Sequence, residues 1–235
     1  MSEQHPSIFK EIFKEYVQKI IAIVLGISIS FWFEEWKNDR NDRETERKIL
    51  LNLKENLAQD SLFQEGTAQM GENMINGINR LIELSPNITD SVSFFIDMAA
   101  SYTGCPVNQT IYEEIKQTGR TSLIQDDTLK KMILGHYTSL IPYVKEWCEI
   151  DKLHTMSHLI PEMSNYFPVV IDTFNMVSNP EKMKYLKTPK VRHLLLTNMC
   201  YKKEAIKCLH LAADNSKKLI RRIDKVLLVE HLTKK

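Results

Sequence analysis

His154 and His158 stand four residues apart, a spacing that puts two imidazoles on one face of a helix, with Glu149 and Asp151 near them in the chain. Two imidazoles and a carboxylate are a donor set that zinc accepts. The pattern is not HExxH, and spacing places no third ligand. A partly exposed structural pair is therefore the stronger reading and a metal site the weaker one. Cys200, Cys208 and His210 are further donors, but the two cysteines lack zinc-knuckle spacing. Cys148 and His154, six residues apart, fall on different helix faces and lack a group to orient the base, so a thiol nucleophile is not supported. Glu113 and Glu114 are adjacent and diverge on a helix, which argues against paired acid–base work. No GxGxxG, GxxxxGKS/T or GxSxG occurs. Asn87-Ile88-Thr89 and Asn108-Gln109-Thr110 match the glycosylation sequon, but both sit where helix caps are expected. The sequence nominates no catalytic residue and no cofactor.

The elements that would position such residues are helices. Only 7 Gly and 8 Pro interrupt 235 residues, and no run of alternating apolar residues argues for a sheet. Hydrophobic residues at 43% and charged residues at 26% are a globular composition, not a disordered one. The four cysteines form no CxxC pair, and Cys148 and Cys208 fall on apolar stripes, so a disulfide framework is not expected. Net charge is +1 but unevenly spread: residues 181–235 hold 15 Lys and Arg against 5 Asp and Glu, and the first 180 residues carry a balancing excess of acid. A basic C-terminal helix packed on acidic helices explains this first, anionic lipid second. Nucleic acid is not expected, because no basic–aromatic interleaving or reader motif is present.

Residues Ile20 to Phe33 contain no charge. Those 14 residues span only about 21 Å as a helix, short of a bilayer core of roughly 30 Å. Tyr16 and Val17 extend the stretch, Lys19 can snorkel, and Trp32 and Trp36 suit the far interface. No small-residue cleavage site follows, which argues against a removed signal peptide. The apolar side chains Ile20, Ile21, Ile23, Val24, Leu25, Ile27, Ile29, Phe31, Trp32, Phe33 and Trp36 thus form a membrane anchor. Ala22, Gly26 and Ser30 recur every fourth residue, a face on which two such helices approach closely. Ahead of it, Ile8, Phe9, Ile12, Phe13, Tyr16 and Val17 face away from Lys10, Glu11, Lys14 and Glu15. That stretch either lies on the membrane surface or begins one continuous helix. The basic flanks give a slight preference for a cytosolic C-terminal part.

Residues 37–48 alternate in charge and read as a solvated helix. An apolar stripe starts at Ile49, Leu50, Leu53 and Leu57 and resumes at Met70, Met74, Ile78 and Leu81, with a break expected near Gly66 and an end at Ser85-Pro86. A helix from Thr89 to Ser101 follows. Asn108 caps the next and Gly119 stops it. Asp126 or Asp127 opens the longest stripe, which Pro142 should kink; Pro161 and Pro168 mark further breaks. Thr188-Pro189 starts the last helix. The expected fold is all-α: residues 1–36 an amphipathic lead and transmembrane helix, 37–48 a charged juxtamembrane helix, and 49–235 an antiparallel helical bundle.

Two parts of this chain resemble a family of bacterial membrane proteins of unknown function. One is Gly26-Ile27-Ser28-Ile29-Ser30-Phe31-Trp32-Phe33-Glu34-Glu35-Trp36, although the family has Asn where Glu34 and Glu35 stand here. The other runs from Asn108 to Tyr137, with Tyr112, Thr118-Gly119, Leu123-Ile124, Asp126-Asp127 and Leu129. The resemblance implies a single-pass helical protein of the bacterial inner membrane and carries no catalytic residues.

Three functional readings follow. A membrane-tethered interaction, scaffold or sensory module leads, its partners being the bilayer, a second copy through the Ala22–Gly26–Ser30 face and a protein yet to be identified. A membrane-associated enzyme or ligand-binding protein comes second, with a pocket opened around Pro142 and Pro161. A soluble bundle that buries Ile20 to Phe33 is third.

Overall fold

The computed structural model describes residues 6–83, 92–167, 169–170, 175–176 and 180–233. The protein is all-α. Its helices are α1 (Pro6–Glu83), α2 (Val92–Ala100), α3 (Thr110–Gln117), α4 (Asp127–Gly135), α5 (Ile141–His154), α6 (Ile160–Ser164) and α7 (Pro189–Thr233). Short 3-10 turns lie at Arg120–Leu123 and Pro180–Lys187. Among the described residues the one strand pairing is a two-residue antiparallel ladder, Val169 opposite Met176 and Val170 opposite Asn175. The chain divides into two compact units, residues 1–49 and 50–235.

Helix starts follow local chemistry. Asp126 Oδ1 accepts the Leu129 amide at 2.7 Å and opens α4. Thr188 Oγ1 accepts the Val191 amide at 3.4 Å ahead of Pro189. Gly119, at φ 70°, takes the left-handed position that ends α3. Asn108 Oδ1 accepts the Thr110 amide at 3.0 Å, although Gln109 occupies the cap position itself. The ends expected at Pro86 and Pro168 and the sequon at Asn87 lie outside the described residues.

The break expected near Gly66 does not occur. Gly66 leaves α1 continuous, because it faces open space and costs only about 1 kcal/mol against Ala, less than its packed neighbours restore. Gly77 serves a purpose: a Cβ there would meet Met98 Cβ at 2.7 Å, so its absence lets α2 lie against α1. The N-terminal amphipathic stretch from Pro6 also belongs to the continuous helix rather than to a separate surface segment.

The prolines do not break the second rod, the run from α4 to α6, either. A π-turn, His136–Leu140, precedes Pro142, and a second, Thr155–Leu159, precedes Pro161. Proline has no amide and its ring strikes the carbonyl four residues back, so widening the turn removes the clash without ending the helix. The burial pattern records the inserted residues. From Leu129 through Ile133, Tyr137, Ile141, Val144, Cys148, Asp151, Thr155 and Leu159 to Met163 there are nine steps in 34 residues, about 3.8 per step. One extra residue for each π-turn accounts for the excess over about 3.6.

Within residues 50–235, cross-contacts set the directions. Ser61 bonds the Ala213 carbonyl, Lys54 pairs with Asp224 at 2.5 Å and His210 lies 3.6 Å from Glu72, so α7 runs antiparallel to α1. Arg222–Asp126 and Lys190–Glu162, both at 2.5 Å, make α7 antiparallel to α4–α6 as well. The extended segment 101–109 returns between them: Asp60 Oδ1 accepts the Asn108 amide at 3.0 Å, and Asp151 Oδ2 accepts the Thr103 amide at 2.7 Å.

The apolar interior forms two clusters. One joins Leu50, Leu53 and Leu57 to Leu129, Ile133, Leu209 and Leu219; the other joins Ile78, Leu81, Ile96, Leu159, Phe167 and Leu195. Between them, on the second rod and on α7, lie polar residues: Asp151 and Thr155 on the second rod, Asn198 and Lys202 on α7.

Candidate functional site

In the N-terminal unit, α1 places its apolar run in the open. Each large apolar side chain from Ile20 to Phe33 is between 51% and 69% exposed. One described helix is long and apolar enough to cross a membrane, and none of its apolar stretch is buried. Arg40 sits over the Trp36 ring at 5.8 Å, beside Phe33, at the start of the charged stretch. Ser30 Oγ donates to the Gly26 carbonyl at 2.9 Å, which satisfies its hydroxyl within the helix. Ile23, Gly26, Ile27, Ser30, Phe31 and Glu34 line a shallow groove on this helix.

The histidines nominated for a metal do not assemble a site. Their rings lie 5.5 Å apart, but His154 is buried and its Nε2 donates to the Leu194 carbonyl at 3.2 Å, while His158 is exposed. A carbonyl can only accept, so this nitrogen carries the proton and is closed to a metal. Asp151, the carboxylate expected nearby, is taken by Lys202, and Glu149 pairs with Lys152 at 3.2 Å. Among the described residues no three His, Cys, Asp or Glu side chains converge. Cys208 is buried in the core, Cys200 is exposed, and His210 turns to Glu72. Glu113 and Glu114 diverge to Lys116 and Arg120.

Sequence reasoning missed the buried polar residues. Lys202 Nζ donates to Asp151 Oδ1 at 2.9 Å, to Oδ2 at 3.2 Å and to the Ser101 carbonyl at 2.5 Å, with neither charged side chain exposed. All three ammonium donors have acceptors, and the carboxylate also takes the Thr103 amide. Asn198 Nδ2 donates to Thr155 Oγ1 at 2.7 Å, and that hydroxyl donates to the Asp151 carbonyl at 2.8 Å. Burial draws the Lys202 ammonium below its ordinary range, and the Asp151 charge opposes the shift.

A second polar row lies on α1, where Asn56, Asp60 and Gln64 step inward at intervals of four. Burial raises the Asp60 carboxyl, with the Asn108 amide opposing. Across from it, burial and the Asp60 charge raise the Tyr137 phenol, which stacks on Tyr112 at 4.5 Å. Asn215 Nδ2 donates to His136 Nδ1 at 2.9 Å, so the neutral ring carries its proton on Nε2; burial pushes its pKa down to about 4. The signals were gaps in the stripes. Lys202 falls on the helical repeat between Met199 and Ala205, and Asp151 on the repeat between Cys148 and Thr155.

Where segment 101–109 crosses α5 there is an open cleft of about 620 Å³, lined by Tyr102 to Cys105 and by Pro142, Lys145, Glu146, Cys148, Glu149 and Lys152. Lys145 Nζ donates to Gln109 Oε1 at 2.7 Å on its rim. Cys148 does not address His154; its Sγ donates to the Gly104 carbonyl at 3.4 Å.

No family model matches this chain, and no curated protein or solved structure matches it either.

Proposed function

We propose that this chain is a membrane-tethered helical module that works by association, as a scaffold or sensor, with α1 supplying a single span and residues 50–235 the working domain. One observation carries the reading: an uncharged run of fourteen residues whose large apolar side chains are all more than half exposed. Exposure of a contiguous apolar surface to water is unfavourable by roughly 25 cal/mol per Å², and a bilayer removes that cost. From Tyr16 to Trp36 the helix is about 30 Å long, the thickness of a hydrocarbon core. Trp32, Trp36 and Arg40 then stand at the aqueous border.

The bacterial inner membrane and a cytosolic working domain are the finer placement, supported by the resemblance of residues 26–36 and by the basic residues after Trp36. The row Ala22, Gly26 and Ser30 is the face on which a second copy would dock. A Cβ on Gly26 would meet nothing within 4 Å, so a partner helix has room to approach.

Fractionation tests the tether. The full chain should stay with the pelleted membranes through an alkaline carbonate wash and leave only with detergent. The variant Ile23→Arg/Ile27→Arg should move to the soluble or aggregated fraction. Full-length protein recovered in the high-speed supernatant without detergent would overturn the reading.

A ligand-binding role is a second reading, favoured by the cleft of about 620 Å³, which lies within the size range of small-molecule sites.

A further inference from the structure

Segment 101–109 has no helix of its own, yet it brings Cys105 against α5, where Cys148 waits 43 residues later in the chain. Both side chains line the cleft, and both are free thiols. The two thiols are close enough that each perturbs the other's proton affinity. Cys148 is buried and holds its Sγ on the Gly104 carbonyl, one residue before its partner, while Cys105 is only half-buried and reaches the open side. Lys145, on the rim one turn before Cys148, adds a positive charge.

These contacts make the two sulfurs unequal. The neighbouring Cys148 thiol and the Lys145 charge hold the Cys105 thiol below its ordinary range, against the effect of burial. The Cys105 interaction and burial push the Cys148 thiol up. An accessible sulfur with thiolate character beside a protonated second thiol is the arrangement of an attacking and a resolving cysteine.

We propose that Cys105 and Cys148 are a redox-active dithiol: a peroxide entering the cleft oxidises Cys105, and Cys148 then closes an intrachain disulfide. In the first step the Cys105 thiolate attacks one peroxide oxygen. An S–O bond forms, the O–O bond breaks, and the departing oxygen takes a proton from water to leave as water or alcohol. In the second step the Cys148 sulfur attacks the sulfenic sulfur. An S–S bond forms, the S–O bond breaks, and the hydroxide leaves as water with the thiol proton of Cys148. Two thiols lose two electrons and the peroxide gains them. The disulfide would tie segment 101–109 to α5 at the cleft.

The test uses the full chain in detergent micelles, reduced and then exposed to hydrogen peroxide. Peptide mass spectrometry should find Cys105 linked to Cys148, with the link reversed by dithiothreitol. Cys148→Ser should stop at a Cys105 sulfenic acid trapped by dimedone, and Cys105→Ser should give neither product. Absence of both the linked peptide and the trapped acid would overturn the proposal. The untouched protein provides a second measurement that needs no variant. Iodoacetamide should alkylate Cys105 about tenfold faster than the more exposed Cys200, because the thiolate is the reacting species. Equal rates, or a faster Cys200, would overturn it.

Discussion

At the residue scale, the interior charge pair sets the terms. Lys202 and Asp151 are both fully buried, and their hydrogen bonds extend to Ser101 and Thr103 on a segment without helical hydrogen bonds of its own. Removing one partner leaves an uncompensated buried charge and an unpaired backbone group. Lys202→Met should cost about 3–5 kcal/mol. The double variant Lys202→Met/Asp151→Leu should cost less than the sum of the two singles, read by urea unfolding of the full chain in detergent. Strict additivity would mean the pair is not coupled. His136 supplies the pH dependence. Its folded value of about 4 lies below the ordinary value of 6.5, so the unfolded chain binds the proton first. Its contribution is complete above about pH 6.5 and falls by about 3 kcal/mol as pH drops towards 4. Asp60, raised by burial, acts in the opposite sense at the acid end. The comparison is therefore with His136→Gln, whose stability should fall less steeply between those limits.

At the element scale, the second rod is one helix with two residues too many. Each π-turn precedes a proline by the same offset, and the buried register after it stays in phase only when the extra residue is counted. Ser139, exposed within the first π-turn, is the natural residue to remove. Its deletion alone returns the turn to an α-helix and drives the Pro142 ring into the carbonyl four residues back, at a cost of about 3 kcal/mol. Deletion of Ser139 together with Pro142→Ala keeps the same inward faces and relieves the clash, so it should unfold at a higher temperature than the deletion alone. Circular dichroism melting decides this, and equal melting temperatures would show that proline is not the reason for the π-turn.

At the scale of the whole molecule, the uneven charge is partly consumed within residues 50–235. Lys190, Lys217 and Arg222 of α7 face Glu162, Glu65 and Asp126 on the neighbouring rods. Lys217–Glu65 lies at the surface and contributes on the order of 0–1 kcal/mol, whereas Glu162 is buried beneath Lys190. The apolar content is divided differently. The helical domain buries its stripes in two clusters, whereas the large apolar side chains from Ile20 to Phe33 are exposed. The proposed membrane tether rests on this contrast.

What could be read along the chain was what local chemistry decides. The 3.6 periodicity, the caps at Asp126 and Thr188, the stop at Gly119 and the uncharged run from Ile20 depend on neighbours within a few residues, and sequence exposes those directly. Gaps in the stripes at Asn56, Asp60, Asp151 and Lys202 were visible but ambiguous, because a polar residue at a core position has meaning only once its partner is known. The same limit applied to His154 and His158, whose spacing fitted a metal until the Leu194 carbonyl and Lys202 claimed the donors. Tertiary structure alone decided that Gly77 is a point of close approach, that the prolines widen a helix instead of breaking it, and that Cys105 meets Cys148. Each of these depends on atoms from distant parts of the chain competing for the same space or the same proton, and no local pattern encodes that competition.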